Sequence, residues 1–128
     1  PQSHMLGIGS IVYSPIGRGL LSWKYKPGHY FERNDARFGH TAFSKENFER
    51  GYKIYEVLYE WSKDKNYNVS QLVIAWTLHT TGVVSAICGA KNPEQAISNA
   101  QAGDINLTQD DLDEINKITK ELSIFDKT

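Results

Sequence analysis

The stretch that decides the fold is "ICGAKNPEQAISNAQ", residues 87–101. An apolar strand end passes through a glycine and a lysine to a helix start, where Asn92 is a favoured cap and Pro93 suits the first helical position. Gln95 can reach back to the cap in a capping box. A helix start leaves backbone N–H groups unpaired and attracts anions, and Lys91 adds a full charge there. The stretch alone is typical of a phosphate site and equally of an ordinary helix start.

Hydrophobic periodicity around this stretch predicts two strands and four helices. The strands are short apolar runs that close in turns, at residues 9–14 and 83–88. The helices are expected at residues 44–65, at 70–81, at 93–101 and from 108 to at least Leu122, with Ser44, Ser70, Asn92 and Thr108 as caps. Residues 18–44 lack periodicity, and so long a loop tends to be functional or mobile.

The order of the elements predicts a right-handed βαβ unit with parallel strands. Residues 83–88 form a continuous apolar run, which is typical of strands that are buried on both faces. Two such strands cannot cover themselves. The chain is therefore expected to be part of a larger sheet or barrel.

Composition excludes several classes of protein. The chain has 128 residues and a net charge of −1, so we expect no nucleic-acid partner and no binding to an acidic membrane surface. No apolar run approaches the roughly 20 residues of a membrane span. A single cysteine, Cys88, excludes an internal disulfide and suggests a reducing compartment, which predicts a cytoplasmic protein. The four histidines show no metal-ligand spacing, so no metal site is expected.

The first five residues, "PQSHM", are typical of the remnant of a cleaved expression tag. We interpret residues 1–5 in that way and base the fold prediction on residues 6–128.

Five stretches together carry a resemblance to a known family. They are "YSPIGRGLLSWKY" (residues 13–25), "ARF" (36–38), "ENFER" (46–50), "VSQLVIAWTL" (69–78) and "ICGAKNPEQAISNA" (87–100). In this order and spacing they resemble the C-terminal part of an aldo-keto reductase, in the branch that includes bacterial general reductases and potassium-channel β subunits. The resemblance implies an α/β fold: the helix-rich C-terminal segment of a TIM (β/α)8 barrel, about strands seven and eight, within residues 6–128.

The resemblance also implies a binding site for NADP(H) in the parent protein, with weak or absent binding expected for this chain alone. Tyr13 would stack on the nicotinamide, and the pyrophosphate would be held by the backbone of Ser14, Ile16 and Gly17 and by the side chains of Arg18 and Lys24. Arg33 is a weaker match to a loop arginine that closes over the cofactor. Gly89, Lys91 and Gln95 match positions around the 2′-phosphate, and Asn99 matches an adenine contact. Ser98 departs from the family, which usually has a glutamate there. Taken singly, each residue also fits an ordinary role: Tyr13 as an aromatic residue of a strand, Arg18 and Lys24 as surface cations, and Lys91 as a cation near a helix cap.

The resemblance assigns no catalytic residue to this chain, because the family's aspartate, tyrosine, lysine and histidine belong to the first four strands. Two hypotheses follow. The chain is a fragment of an NADPH-dependent carbonyl reductase, inactive alone, or it is an independently folded protein that binds a nucleotide or another chain without redox chemistry. The expected partner is a second copy of the chain or the missing N-terminal part of the barrel, and the substrate cannot be inferred.

Overall fold

The computed structural model describes residues 2–121, which form two strands and five helices. In chain order the elements are α1 (Gln2–Met5), β1 (Ser10–Tyr13), α2 (Lys45–Ser62), α3 (Val69–Leu78), β2 (Val83–Ile87), α4 (Pro93–Gln101) and α5 (Gln109–Glu121). Short 3₁₀ turns occur at Gly17–Gly19, Thr41–Phe43 and Ala102–Asp104. Both predicted strands and all four predicted helices are confirmed, with ends that differ by up to three residues. Leu122, expected on the apolar face of α5, lies outside the described residues.

The two strands pair in parallel, which confirms the βαβ unit. Tyr13 pairs with Ile87 and Ile11 with Ser85, so these four side chains share one face of the sheet. All four are exposed, and we call them the open sheet face. Helix α3 packs next to β2, while Val12 and Ala86 on the opposite face are half-buried. The apolar run is therefore covered on one face only.

The main core lies between α2, α3 and α5. Its fully buried members include Leu58 of α2, Leu72 and Val73 of α3 and Ile115 of α5. Helix α3 is buried nearly all round, since every residue from Gln71 to Ala75 is buried. Burial of a large aliphatic side chain contributes about 1.5 to 3 kcal/mol. Helix α3, at the centre of this core, also contacts β2 and so links the core to the sheet.

Some of the cap residues predicted from the sequence are the observed caps, and others are not. Thr108 and Asp111 form the expected capping interactions at α5. The predicted cap Ser70 is wrong, because Asn68 caps α3 and exchanges hydrogen bonds with Gln71 at 3.0 Å in both directions. An asparagine with a glutamine three residues later makes a full capping box, and the helix therefore begins one residue before Ser70. Ser44 precedes α2 without a side-chain cap.

The long loop before α2 is folded around aromatic rings. Leu20, Phe31 and Phe48 form a second buried cluster, which anchors the loop to α2. Leu20 packs so closely on α2 that a Cβ at Gly51 would lie 2.7 Å from its side chain. Between the 3₁₀ turns at Gly17–Gly19 and Thr41–Phe43 the loop has no helix or strand, as its lack of periodicity predicted. Its aromatic packing is not periodic and therefore left no signal in the sequence.

Residues 2–5 form one helical turn that packs on the start of the sheet. The hydroxyl groups of Ser3 and Ser10 lie 3.1 Å apart, and His4 lies against Gly82. The origin of residues 1–5 in an expression tag stays a prediction.

Candidate functional site

The parallel register brings the two predicted groups of cofactor residues to one edge of the sheet. Tyr13 and Ile87 are partners at the carboxyl ends of β1 and β2. The segment that follows β1 carries Ser14 and Arg18, and the segment that follows β2 carries Gly89 and Lys91. Ligands of parallel α/β sheets and barrels bind at the carboxyl ends of the strands. The topology therefore places both groups where such a ligand binds.

The turn after β1 has an unusual backbone. Ser14 and Arg18 both have positive φ angles, 56° and 57°, although neither is glycine. The Gly17 N–H donates to the Ser14 carbonyl at 2.9 Å, and the Gly19 N–H donates to the Ile16 carbonyl at 3.0 Å. Strained backbone of this kind is concentrated at binding and catalytic sites. The turn is thus held in a fixed shape by its own hydrogen bonds, and the Gly17 N–H is already used within it.

A cleft of about 460 Å³ opens beside this turn. Tyr13, Ser14, Gly17 and Arg18 line it together with Ile54 and Trp76 from the helices. Tyr13 is 77 % exposed, so its ring is available for stacking by a flat ligand. Four predicted cofactor residues therefore face one concave surface, and Ile16 packs behind them against the main core.

The residues predicted around the 2′-phosphate gather at the start of α4. Asn92 caps the helix by accepting from the Gln95 N–H at 2.9 Å. The predicted return bond from Gln95 to the cap is not made; its side chain instead accepts from the Lys91 N–H at 2.8 Å. Asn99 donates to the Gly89 carbonyl at 3.2 Å. These bonds fix the backbone around Lys91. Its ammonium group takes part in none of the four salt bridges within residues 2–121.

Residues 35–37 contact the turn after β1, a link that the sequence did not reveal. Arg18 Nη1 donates to the Ala36 carbonyl at 3.3 Å. Asp35 is hydrogen-bonded by Arg37, whose Nε lies 2.7 Å from Oδ1, and these bonds, with a smaller contribution from the charge of Lys91, hold the pKa of Asp35 well below its usual range. The motif "ARF" contained the signal, but its residues carried no assigned role.

The same interactions perturb two neighbours of Asp35. Its side-chain hydrogen bond raises the pKa of Arg37. Partial burial of Tyr25 opposes ionisation, but the hydrogen bond from Arg37 and the charges of Arg37 and Lys24 together lower the pKa of its hydroxyl. Asp35 and Arg37 are therefore both charged throughout the neutral pH range.

Two predicted residues stay apart from these groups. The Lys24 Nζ lies 5.5 Å from the centre of the Tyr25 ring, and Lys24 is exposed. Arg33 is exposed on the loop, and no hydrogen bond or salt bridge within residues 2–121 involves its side chain. Neither lines the cleft beside Tyr13.

Other kinds of site find no support within residues 2–121. No group of three or more His, Cys, Asp or Glu side chains there is arranged to hold a metal ion. No helix in the same range is both long and apolar enough to cross a membrane. Burial raises the pKa of the Cys88 thiol, which disfavours the thiolate form that a nucleophile needs.

Comparison with known proteins decides the family. The model of the "Aldo/keto reductase family" matches residues 2–120. The chain belongs to the aldo/keto reductase family. Aldo-keto reductase str7 of Strobilurus tenacellus is 32 % identical over 119 residues, which cover 93 % of this chain and 35 % of that protein.

The fold of this aldo/keto reductase chain agrees with a solved structure. The glycerol dehydrogenase AKR11B4 of Gluconobacter oxydans matches 100 % of this chain with a TM-score of 0.86, at 21 % sequence identity. That likeness shows a segment of the family's TIM barrel, which confirms the α/β fold predicted from the sequence. The chain spans 39 % of that structure and 35 % of the curated relative, or a little over one third of each.

Aldo/keto reductases generally use NADP(H), and the residues of this chain fit that group chemically. A Cβ at Gly89 would meet no atom within 4 Å, so there is room beside the strand end. Arg18, Lys24 and Lys91 take part in none of the four salt bridges of residues 2–121. Open space, cations without acid partners and an exposed aromatic ring are what a dinucleotide phosphate needs.

Proposed function

We propose that this chain forms about the seventh and eighth strands of an NADPH-dependent aldo/keto reductase barrel, with the helices that follow them, and contributes part of its cofactor site. The parallel pairing of Tyr13 with Ile87 supports this proposal, because it brings the turn after β1 and the start of α4 to one edge. The parent enzyme would reduce a carbonyl to an alcohol. Its substrate stays open.

Each end of the cofactor has a candidate partner in this proposal. The Tyr13 ring stacks on the nicotinamide and Arg18 binds the pyrophosphate. Lys24 and Arg33 lie outside the cleft beside Tyr13, and the family resemblance alone assigns them to the pyrophosphate and to the loop that closes over the cofactor. Lys91 binds the 2′-phosphate beside the start of α4, where the helix dipole favours an anion. Gln95 and Asn99 hold the backbone around Lys91 and Gly89. When bound, the cofactor supplies the hydride.

The proton donor and the residues that tune it are assigned, in this proposal, to the part of the barrel outside this chain. TIM-barrel active sites are built from the ends of several different strands, and residues 2–121 of this chain provide two. We therefore expect no NADPH-dependent carbonyl reduction by the chain alone. Turnover of an aldehyde that survives repurification would overturn this part of the proposal.

Calorimetric titration with NADPH and NADH tests the cofactor assignment. A charge-assisted bond to the 2′-phosphate predicts a preference for NADPH of roughly tenfold or more. Lys91→Ala removes that preference and leaves the weaker NADH affinity unchanged, because the 2′-phosphate is the only group that the two cofactors do not share. Lys117→Ala, at an exposed lysine of α5, serves as the control and changes neither. Equal affinity of the unmutated chain for both cofactors would contradict the proposal.

The second candidate function is a non-catalytic nucleotide-binding or oligomeric protein that uses the same fold. The open sheet face favours it, since Ile11 is 65 % and Ile87 is 60 % exposed. An uncovered apolar sheet is a template for another chain. The partner in this proposal is either a second copy or the rest of the barrel.

A further inference from the structure

Arg37 is the most enclosed cation of the loop between β1 and α2. Its Cζ lies 4.3 Å from the centre of the Tyr25 ring and 4.5 Å from that of Phe31. Asp35 accepts from the Arg37 backbone N–H at 2.9 Å and from its Nε at 2.7 Å, and its second oxygen accepts from Nη2. Only a planar guanidinium can stack on rings and bind both carboxylate oxygens at once.

This arrangement fixes the backbone of Ala36, which lies between the two paired residues. The Ala36 carbonyl accepts the hydrogen bond from Arg18 Nη1 at 3.3 Å. Arg18 is exposed, and within residues 2–121 this is the one hydrogen bond of its side chain. The chain of contacts runs from the aromatic cluster through Arg37 and Ala36 to Arg18.

We infer that Arg37 is a positioning residue for the cofactor site. Arg37 holds the Ala36 carbonyl in place, and this carbonyl in turn orients the Arg18 side chain toward the pyrophosphate. Arg37 does not touch the cofactor in this arrangement, because Asp35 and the two rings occupy its guanidinium. The inference rests on the proposed function for the identity of the ligand. The link from Arg37 to Arg18 stands on the hydrogen bonds alone.

Hydrogen exchange on the ligand-free chain tests that link. Arg37→Lys keeps the charge but loses the two-pronged bond, and Asp35→Asn weakens the same bond from the other side. Both variants should exchange the hydrogen-bonded amides of the Gly17–Gly19 turn roughly tenfold faster, with α3 unchanged. Arg50→Lys is the matched control, because Arg50 pairs with Glu46 on the exposed side of α2. Unchanged exchange in the turn would overturn the inference.

Two ligands separate positioning from general damage to the site. NADP⁺ contains the pyrophosphate, whereas adenosine 2′-monophosphate has no 5′-phosphate and carries only the end assigned to Lys91. Arg37→Lys should weaken NADP⁺ binding roughly tenfold and leave the binding of the monophosphate unchanged, as Arg18→Ala should. Equal weakening of both ligands would show a purely structural role and overturn the inference. If the unmutated chain binds neither, the proposed function and the cofactor part of this inference are wrong, and the exchange experiment still decides the link to Arg18.

Discussion

The indole N–H of Trp61 donates a hydrogen bond to the Glu114 carboxylate across 2.7 Å and so joins α2 to α5. A second indole, that of Trp76 in α3, donates to Asn116 at 2.9 Å. Helix α5 is therefore held by two side-chain hydrogen bonds, to α2 and to α3, in addition to the apolar contacts of Ile115. These bonds are specific, since each tryptophan has only one donor to offer.

Removal of the Trp61 bond tests its contribution to the docking of α5. Glu114→Ala should lower the free energy of unfolding by about 0.5 to 1.5 kcal/mol, while Glu114→Gln keeps an acceptor and loses less. Trp61→Phe removes the donor and keeps most of the apolar surface. Urea unfolding followed by circular dichroism measures all three, and a double-mutant cycle of Trp61→Phe with Glu114→Ala isolates the pair. A coupling energy of zero would contradict the role of this bond.

The cap of α3 allows a direct comparison of two substitutions. Asn68→Ala removes the observed cap, whereas Ser70→Ala removes the residue that the sequence suggested as the cap. Asn68→Ala should destabilise the chain by about 1 kcal/mol, since it leaves the Gln71 N–H without its acceptor. Ser70→Ala should change stability by less than about 0.5 kcal/mol, because Ser70 lies inside the helix. Chemical unfolding of both variants provides the measurement. If Ser70→Ala lowers the free energy of unfolding more than Asn68→Ala does, Ser70 is the cap and the assignment of Asn68 is wrong.

These two positions show how far the sequence predicts the structure. Strands, helices and parallel pairing follow from hydrophobic period and element order, which are local signals. Ser70 and Asn68 are both favoured cap residues, but only Asn68 has a glutamine three residues later, so the capping-box spacing in the sequence identifies Asn68. The position of Arg37 over Tyr25 and Phe31 depends on rings brought together by the loop, and no spacing rule predicts it. The residues of the cofactor site came from family resemblance, and their contacts came from the structure.

We expect the contribution of the Asp35 carboxylate to the free energy of unfolding to fall at acid pH. Hydrogen bonds from Arg37 lower its pKa in the folded chain below the ordinary value of 3.8. The stabilisation is then complete above the ordinary value and is lost as the pH falls through the depressed one. The melting temperature of the unmutated chain should exceed that of Asp35→Asn by a constant amount between about pH 7 and pH 5, and the gap should narrow below about pH 4.

Two controls accompany that experiment. Asp110→Asn, at an exposed residue in the first turn of α5, should not reproduce the gap. Added salt should reduce the gap at neutral pH, because the pair is partly exposed and its charges are screened. A gap that widens as the pH falls would have the wrong sign for a stabilised carboxylate and would refute the explanation.

The last prediction concerns the open sheet face, which carries Ile11, Tyr13, Ser85 and Ile87 in register. In a complete barrel, further strands and side chains cover this face, and in the chain alone we expect a second copy to do so, most simply as a two-fold dimer. Light scattering coupled to gel filtration at micromolar concentration should therefore give the mass of two chains. Ile11→Lys places a charge in the buried contact and should shift the mass toward one chain. Ile97→Lys changes an isoleucine of α4 that is similarly exposed, at 59 % against 65 %, and should leave the mass unchanged. A single monodisperse peak at the mass of one unmutated chain would show that the chain covers its own sheet, and the predicted association would then be wrong.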